Sequence, residues 1–285
     1  MENYLRKFKN SGYIKFDDIL DKKSMNVFCD SLLNLTYYHL KKAKDHQKRL
    51  TTIYKSNLSV GKKISKMFEL FEKKDAEILY QLQKMLMVHN DLRNILISPK
   101  LNNIFKKLLD IKGKTPILMN GPGIFVNRPK TKRLLYRWHS EQHYYPKRRN
   151  FINIWFPIFS SKSEKNGTMF IKEKSHLLDD LPFNEYQGYD KKTENKKNHF
   201  VQYEIPENFV KNHKTYKAKL NVGDLLVFHR KAVHTSTHNR SNDYTFAVVF
   251  RIWDMSKDLT INGNLSVFSY KDSNNGRPNL IVDTE

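Results

Sequence analysis

The spacing of apolar residues changes near residue 113. Before this point, apolar side chains recur every three or four positions, which is the period of one face of an α-helix. Three sets share this spacing: Met25, Phe28, Leu32 and Leu35; Ile64, Met67, Phe68 and Phe71; and Leu101, Ile104, Phe105 and Leu108. We therefore predict that residues 1–112 are mostly helical.

Three local signals predict where these helices begin and end. Gly12 is expected to end the first helix and to lead into a short strand. Asp21 is a favourable N-cap residue, and Ser98 followed by Pro99 is typical of a helix start. The polar, basic stretch 41–62 predicts only a frayed helix end or a loop.

From residue 116 onward, short apolar runs alternate with turn residues, which is typical of β-strands. In the run 151–158, Ile152, Ile154, Phe156 and Ile158 fall on one face, while Asn153 and Trp155 fall on the other. The pattern predicts a mainly β protein with a helical N-terminal part. Its core would be a β-barrel or double-sheet jelly roll flanked by α-helices.

We expect residues 1–285 to form a single domain. Its parts would be a helical flank (1–112), a β core (113–255) and a C-terminal extension (256–285). The polar and aromatic stretch 179–215 within the core is predicted to be a lid-like insertion.

Composition adds little about partners. The net charge is +22, but the lysines are scattered along the chain, which favours compositional drift over a nucleic-acid partner. Denser basic stretches at 127–133 and 147–149 suggest an anionic small-molecule substrate. A single cysteine and the lack of a membrane-length apolar run predict a cytoplasmic protein without a membrane span.

One pair of residues suggests metal chemistry. His139 and Glu141 are separated by a single residue, so both side chains can reach the same point, and His234 follows an apolar strand much later. Two imidazoles and one carboxylate on one face of a metal are the ligands of non-haem Fe(II) oxygenases. The alternatives are that His139 and His234 are structural, or that His143 is a ligand.

Several motifs in order resemble the phytanoyl-CoA dioxygenase-like family of Fe(II)/2-oxoglutarate oxygenases. They are Trp-His-Ser-Glu at 138–141, the segment 151–176 with its Asn-Gly turn and Ser-His pair, and the segment 223–241 with His-Thr-Ser at 234–236. The resemblance covers nearly the whole chain. It implies a double-stranded β-helix (cupin-like) fold, Fe(II) held by His139, Glu141 and His234, and 2-oxoglutarate and O2 as cosubstrates.

The chain departs from the family pattern at two positions. Glu141 replaces the usual Asp, and Thr245 replaces the Arg that usually forks onto the far carboxylate of 2-oxoglutarate. Arg251, on the same strand face as Thr245, is our preferred substitute, and Arg137 is the alternative. Three further cosubstrate or pocket contacts are expected: Ser236, Thr245 and Trp155.

The predicted activity is oxidation of a substrate C–H bond, most simply hydroxylation, with release of succinate and CO2. The substrate would be a small molecule, such as a sugar or lipid intermediate. Two other functions remain open from the sequence. One is a degenerate member of the fold that binds without turnover of 2-oxoglutarate, and the other is a basic protein that binds or modifies nucleic acid.

Overall fold

The computed structural model describes most of the chain. The residues it describes are 2–43, 46–72, 85, 90–96, 98–113, 117–130, 135–145, 150–179, 181–187, 201–254, 264–266 and 281–283. Parts of three predicted features lie outside these residues: positions 131–133 and 147–149 of the basic stretches, positions 188–200 of the insertion, and most of the C-terminal extension.

The described part of the N-terminal flank is mainly helical, as predicted. Its helices are α1 (Glu2–Ser11), α2 (Lys22–Leu40), α3 (Gln47–Lys55), α4 (Val60–Glu72), α5 (Asn90–Leu96) and α6 (Pro99–Leu108). No described helix has the length and apolar character needed to cross a bilayer.

The predicted helix ends are confirmed. The Asp21 carboxylate accepts a hydrogen bond from the Ser24 backbone N–H at 2.7 Å, and the Ser98 hydroxyl accepts one from the Leu101 N–H at 3.3 Å. After α1, Gly12 has a φ of 84°, and a Cβ at this position would lie 2.4 Å from the His176 ring. Only glycine satisfies both constraints, so the helix ends there.

The prediction for residues 41–62 was wrong. This stretch contains α3 and the first turn of α4. Leu50 of α3 is completely buried in the main core, so the helix is stabilised by packing that its polar local sequence does not reveal.

The strands follow in chain order, and β1 comes from the N-terminal flank. They are β1 (Tyr13–Phe16), β2 (Ile117–Asn127), β3 (Phe151–Ile158), β4 (Met169–Lys172), β5 (Asn184–Gln187), β6 (Val201–Glu204), β7 (Thr215–Lys217), β8 (Leu225–His229), β9 (His234–Ser236), β10 (Thr245–Asp254), β11 (Asn264–Ser266) and β12 (Ile281–Asp283). Within the predicted insertion, β5 and β6 form an antiparallel hairpin, and β7 already belongs to the core.

Two antiparallel sheets form the core. The larger has the strand order β1–β8–β3–β10–β2, and the smaller has the order β7–β4–β9. Strands that are neighbours in the sheets are mostly distant in sequence, as in a jelly roll. The predicted double-stranded β-helix fold with flanking helices is therefore confirmed.

The two faces of the larger sheet have different partners. On β10, Phe246, Val248, Phe250 and Ile252 pack against the helices in the main core. The alternate residue Ala247 points the other way, into a second apolar cluster together with Trp155 of β3 and residues of the smaller sheet. The odd-numbered residues of β10, from Thr245 to Arg251, therefore line the interior between the two sheets.

Candidate metal and cosubstrate site

The three predicted metal ligands lie close together in the barrel interior. His139 and His234, the first residue of β9, form a backbone bridge with N–O distances of 3.0 and 2.9 Å. Glu141 begins a short 3-10 turn immediately after this bridge. All three side chains are buried, and their ligand atoms lie within 4.8 Å of one another.

Backbone carbonyls orient both imidazole rings. His139 Nδ1 lies 2.7 Å from the Arg137 carbonyl oxygen, and His234 Nδ1 lies 2.9 Å from the Ala232 carbonyl oxygen. Because a carbonyl oxygen can only accept, each Nδ1 must carry the proton and donate it. Each Nε2 is therefore left with a lone pair directed towards Glu141, which is the arrangement found in metal-ligating histidines.

Arg251 balances the charge of Glu141. Its guanidinium donates to Glu141 Oε2 from Nε at 3.0 Å and from Nη2. Burial alone would raise the pKa of Glu141, but the positive charge of the neighbouring Arg251 lowers it well below its usual range. Burial and the neighbouring His139 lower the pKa of His234. Glu141 is thus an anion and His234 a neutral ring near pH 7, as metal binding requires.

The donor set fits a divalent metal. Glu141 Oε1 lies 3.7 Å from His139 Nε2 and 3.6 Å from His234 Nε2. Ligand bonds of about 2.1 Å at right angles would place neighbouring donors about 3 Å apart, so small side-chain rotations suffice. Two nitrogens and one oxygen on one side leave the other positions free for cosubstrate and O2.

Comparison with models of protein families identifies the family of this chain. The family model for phytanoyl-CoA dioxygenase (PhyH) matches residues 8–246, which include all three candidate ligands. The chain belongs to the phytanoyl-CoA dioxygenase family. It is accordingly a member of the 2-oxoglutarate-dependent non-haem iron oxygenases, whose cofactors are iron and 2-oxoglutarate.

Solved structures show the same fold at low sequence identity. The epimerase SnoN, in complex with Fe3+, alpha ketoglutarate and nogalamycin RO, has a TM-score of 0.53 and 14% identity over 89% of this chain and 83% of that chain. EctD from S. alaskensis, with 2-oxoglutarate and 5-hydroxyectoine, has a TM-score of 0.55 and 12% identity over 90% and 77%. The non-heme monooxygenase ThoJ has a TM-score of 0.55 and 15% identity over 88% and 77%. No curated protein matches the sequence.

The two arginines predicted as cosubstrate clamps occupy different places in this family member. Arg251 lies inside the barrel and is engaged with Glu141. Arg137 lies at the surface, where it pairs with Glu204 at 2.6 Å and stacks over the Tyr186 ring. A side chain that is 57% exposed is poorly placed to neutralise a buried dicarboxylate.

The other predicted contacts are distributed along the interior. Trp155 is buried in the inner cluster, and Ser236 lies two residues after His234 on β9. Thr245 is buried at the far end of β10, where its hydroxyl donates to the Asn166 carbonyl at 2.8 Å. The structure does not bring His143 into the triad. The His143 ring instead lies against Phe183 at 4.2 Å.

Two buried polar side chains were not predicted as functional. The amide of Asn153 is completely buried opposite Arg251 and has no hydrogen-bond partner among the described residues. Its position on the inner face of β3 was a signal available in the sequence. Lys162 is also completely buried, but its polar, turn-like surroundings offered no such signal.

Aromatic rings surround the triad on the side of the β5–β6 hairpin. The rings of Tyr136 and Tyr144 lie 5.2 and 5.8 Å from that of His139, and Tyr203 of β6 lies 4.8 Å from Tyr144. Described residues of the predicted lid therefore contact the environment of the candidate ligands.

Proposed function

We propose that this protein hydroxylates, or otherwise oxidises, a C–H bond of a small organic molecule, with iron held by His139, Glu141 and His234. The observation that supports this best is the orientation of the triad. Both Nε2 atoms and one carboxylate oxygen converge in a buried site, and each Nδ1 is committed to a backbone carbonyl. When bound, Fe(II) and 2-oxoglutarate supply the oxidising chemistry, which consumes O2 and releases succinate and CO2.

The chain's own residues have three tasks in this proposal. The backbone carbonyls hold the histidine rings, and Arg251 keeps the Glu141 carboxylate ionised and oriented. The aromatic residues around His139, together with the β5–β6 hairpin, limit access of water. The hairpin also shapes the space next to the metal and therefore selects the substrate.

The substrate class rests on charge and on the character of the site wall. Tyrosine and phenylalanine rings beside the triad favour a compact organic molecule with apolar surface, such as a sugar or lipid intermediate. The basic side chains near the motif favour an anionic group on that molecule. SnoN and EctD, which share the fold, were solved with small organic ligands, and this also supports a small-molecule substrate.

Anaerobic titration with Fe(II) and 2-oxoglutarate tests the proposal. We expect a metal-to-ligand charge-transfer band, followed by succinate formation when O2 is admitted. Zinc-loaded protein is the matched control, because it fills the same ligands without redox activity. If saturating 2-oxoglutarate produces no band with wild-type protein, the oxygenase proposal fails and a degenerate binding protein is the better description.

A further inference from the structure

Lys162 is a buried cation with no charged partner in the described part of the chain. It is 0% exposed, and its ammonium donates to Asn127 Oδ1 and to Thr245 Oγ1, both at 2.6 Å. Among the described residues, no carboxylate lies within ion-pair distance of it. Buried lysines are normally paired with an acid, because an isolated charge is costly to remove from water.

The fold holds this ammonium in place. The Lys162 backbone pairs with Leu220 through N–O distances of 2.8 and 3.1 Å, which anchors the loop between β3 and β4 beside the barrel. The Thr245 hydroxyl donates its proton to Asn166, so its oxygen is available to accept from Lys162. Burial lowers the pKa of Lys162 to about 7, and no other group contributes to this shift. This arrangement stabilises the ammonium less than an anion at the same place would.

Contacts at the end of β9 connect the triad to the surroundings of the Lys162 ammonium. Thr237, three residues after His234, bonds through its hydroxyl to the Thr168 N–H at 2.7 Å. The neighbouring Gly167 approaches both Thr237 and Asn127, the partner of Lys162. Three residues of strand span roughly 10 Å. Ser236 lies between the two ends, so the interior offers a metal site at one end and a cation at the other.

We propose that Lys162 binds the far carboxylate of 2-oxoglutarate, with the Thr245 hydroxyl as its partner. This inference rests on the proposed function. It assigns to a lysine from the β3–β4 loop the role that an arginine at position 245 would otherwise fill. The small side chain of Thr245 leaves the space that the ammonium occupies. Arg251, which we favoured from the sequence, is instead engaged with Glu141.

The test compares two oxo acids in Fe(II)-loaded protein under anaerobic conditions. 2-Oxobutyrate retains the oxo-acid end of 2-oxoglutarate but lacks the far carboxylate. Loss of one partner of a buried charged pair predicts that Lys162→Met binds 2-oxoglutarate roughly 100-fold more weakly than wild type. Affinity for 2-oxobutyrate should stay unchanged, because its contacts do not involve Lys162.

Two further variants sharpen the result. Lys217→Met removes the same charge from an exposed lysine of β7, whose partner Glu164 lies in the same loop as Lys162. This variant should bind both acids as wild type does. Lys162→Met combined with Thr245→Arg should recover the preference for 2-oxoglutarate. The inference is overturned if Lys162→Met binds 2-oxoglutarate normally, or if it loses both acids equally. If wild type fails to bind 2-oxoglutarate at all, the proposed function falls, and this inference with it.

Proton uptake provides a measurement on the wild-type protein alone. Among the described residues, the ammonium contacts Asn127 of β2 and Thr245 of β10, and Asn166 and Leu220 lie beside them. None of these four residues titrates. At pH 8 much of Lys162 is neutral, and binding of the far carboxylate should restore its proton. Calorimetry in buffers of different ionisation enthalpy should detect proton uptake with 2-oxoglutarate and not with 2-oxobutyrate. Equal uptake with both acids would contradict the assignment.

Discussion

The two ends of β10 balance their buried charges in opposite ways. At one end, Arg251 and Glu141 form a hydrogen-bonded ion pair beside the two histidines. At the other end, the partners of Lys162 among the described residues are the neutral oxygens of Asn127 and Thr245. Both ends face the interior between the sheets.

The difference in charge balance indicates which kind of ligand would stabilise each end. At the end with the three candidate metal ligands, the metal end, the positive charge of Arg251 neutralises the negative charge of Glu141 even without a metal. At the end with Lys162, the lysine end, the cation has no compensating charge among the described residues. This lowers stability, and a bound anion would offset the loss. A destabilising feature maintained in a close-packed interior is more consistent with ligand binding than with a purely structural role.

The largest effect is expected from removal of a metal ligand. His234→Ala should weaken Fe(II) or Co(II) binding by at least about 100-fold, because the loss of a direct ligand exceeds the loss of an outer-shell contact. Metal titration followed by the Co(II) absorption spectrum measures this. His213→Ala is the control, since the His213 ring also bonds to a backbone carbonyl but lies outside the triad. Unchanged metal binding by His234→Ala would mean that the ligand set is wrong.

Removal of Arg251 tests the charge balance at the metal end. Arg251→Met leaves the Glu141 carboxylate buried without its guanidinium, and this should lower the free energy of unfolding of the metal-free protein by about 3–5 kcal/mol. A bound divalent metal should restore much of the loss, because it supplies positive charge to the same carboxylate. Urea denaturation with and without Zn(II) measures both effects.

A double variant provides the control for this prediction. Arg251→Met combined with Glu141→Gln removes both charges and should be more stable than Arg251→Met alone in the absence of metal. An equal loss of stability in metal-free and metal-loaded protein would contradict the compensating role of Arg251.

The sequence predicted the fold and the triad because both depend on local patterns. Alternation along residues 151–158 placed Asn153 and Trp155 on the inner face of β3, and the single residue between His139 and Glu141 brought both to one point. The family motifs then related His234 to them. These signals survive in a single sequence because periodicity and spacing determine which face of a strand a residue occupies.

Features that depend on tertiary side-chain contacts could not be predicted from the sequence. Arg251 lies six positions after Thr245, an even spacing that predicted correctly that both face the interior. It did not predict that Glu141 would bind Arg251. Lys162 sits in a polar turn and resembles the many solvated lysines of a chain with 51 Lys and Arg residues. Only its contacts with Asn127 and Thr245 distinguish it. The helix α3 was missed because its stability depends on packing against α2 and α4, which buries Leu50.

The smallest effect is expected at the lysine end, and its sign is opposite to that at the metal end. Lys162→Met replaces a buried ammonium by an apolar side chain of similar length, so it should raise the free energy of unfolding at pH 7 by about 1–4 kcal/mol. Because burial lowers the pKa of Lys162 in the folded protein to about 7, the folded state releases this proton around pH 7, whereas the unfolded state keeps it up to about pH 10.5. The contribution of Lys162 to the free energy of unfolding of wild type therefore rises between about pH 7 and 10.5. Over the same pH range, the excess stability of Lys162→Met over wild type should shrink.

Urea denaturation of wild type and Lys162→Met at pH 7, 8.5 and 10 isolates this contribution, because other titrating groups are common to both proteins. Lys217→Met, which alters an exposed lysine, should differ from wild type by an amount that does not change with pH. If Lys162→Met is less stable than wild type at pH 7, the hydrogen bonds to Asn127 and Thr245 outweigh the desolvation of the ammonium. Lys162 would then be a structural anchor of the β3–β4 loop, and the contrast between the two ends of β10 would lose its functional meaning.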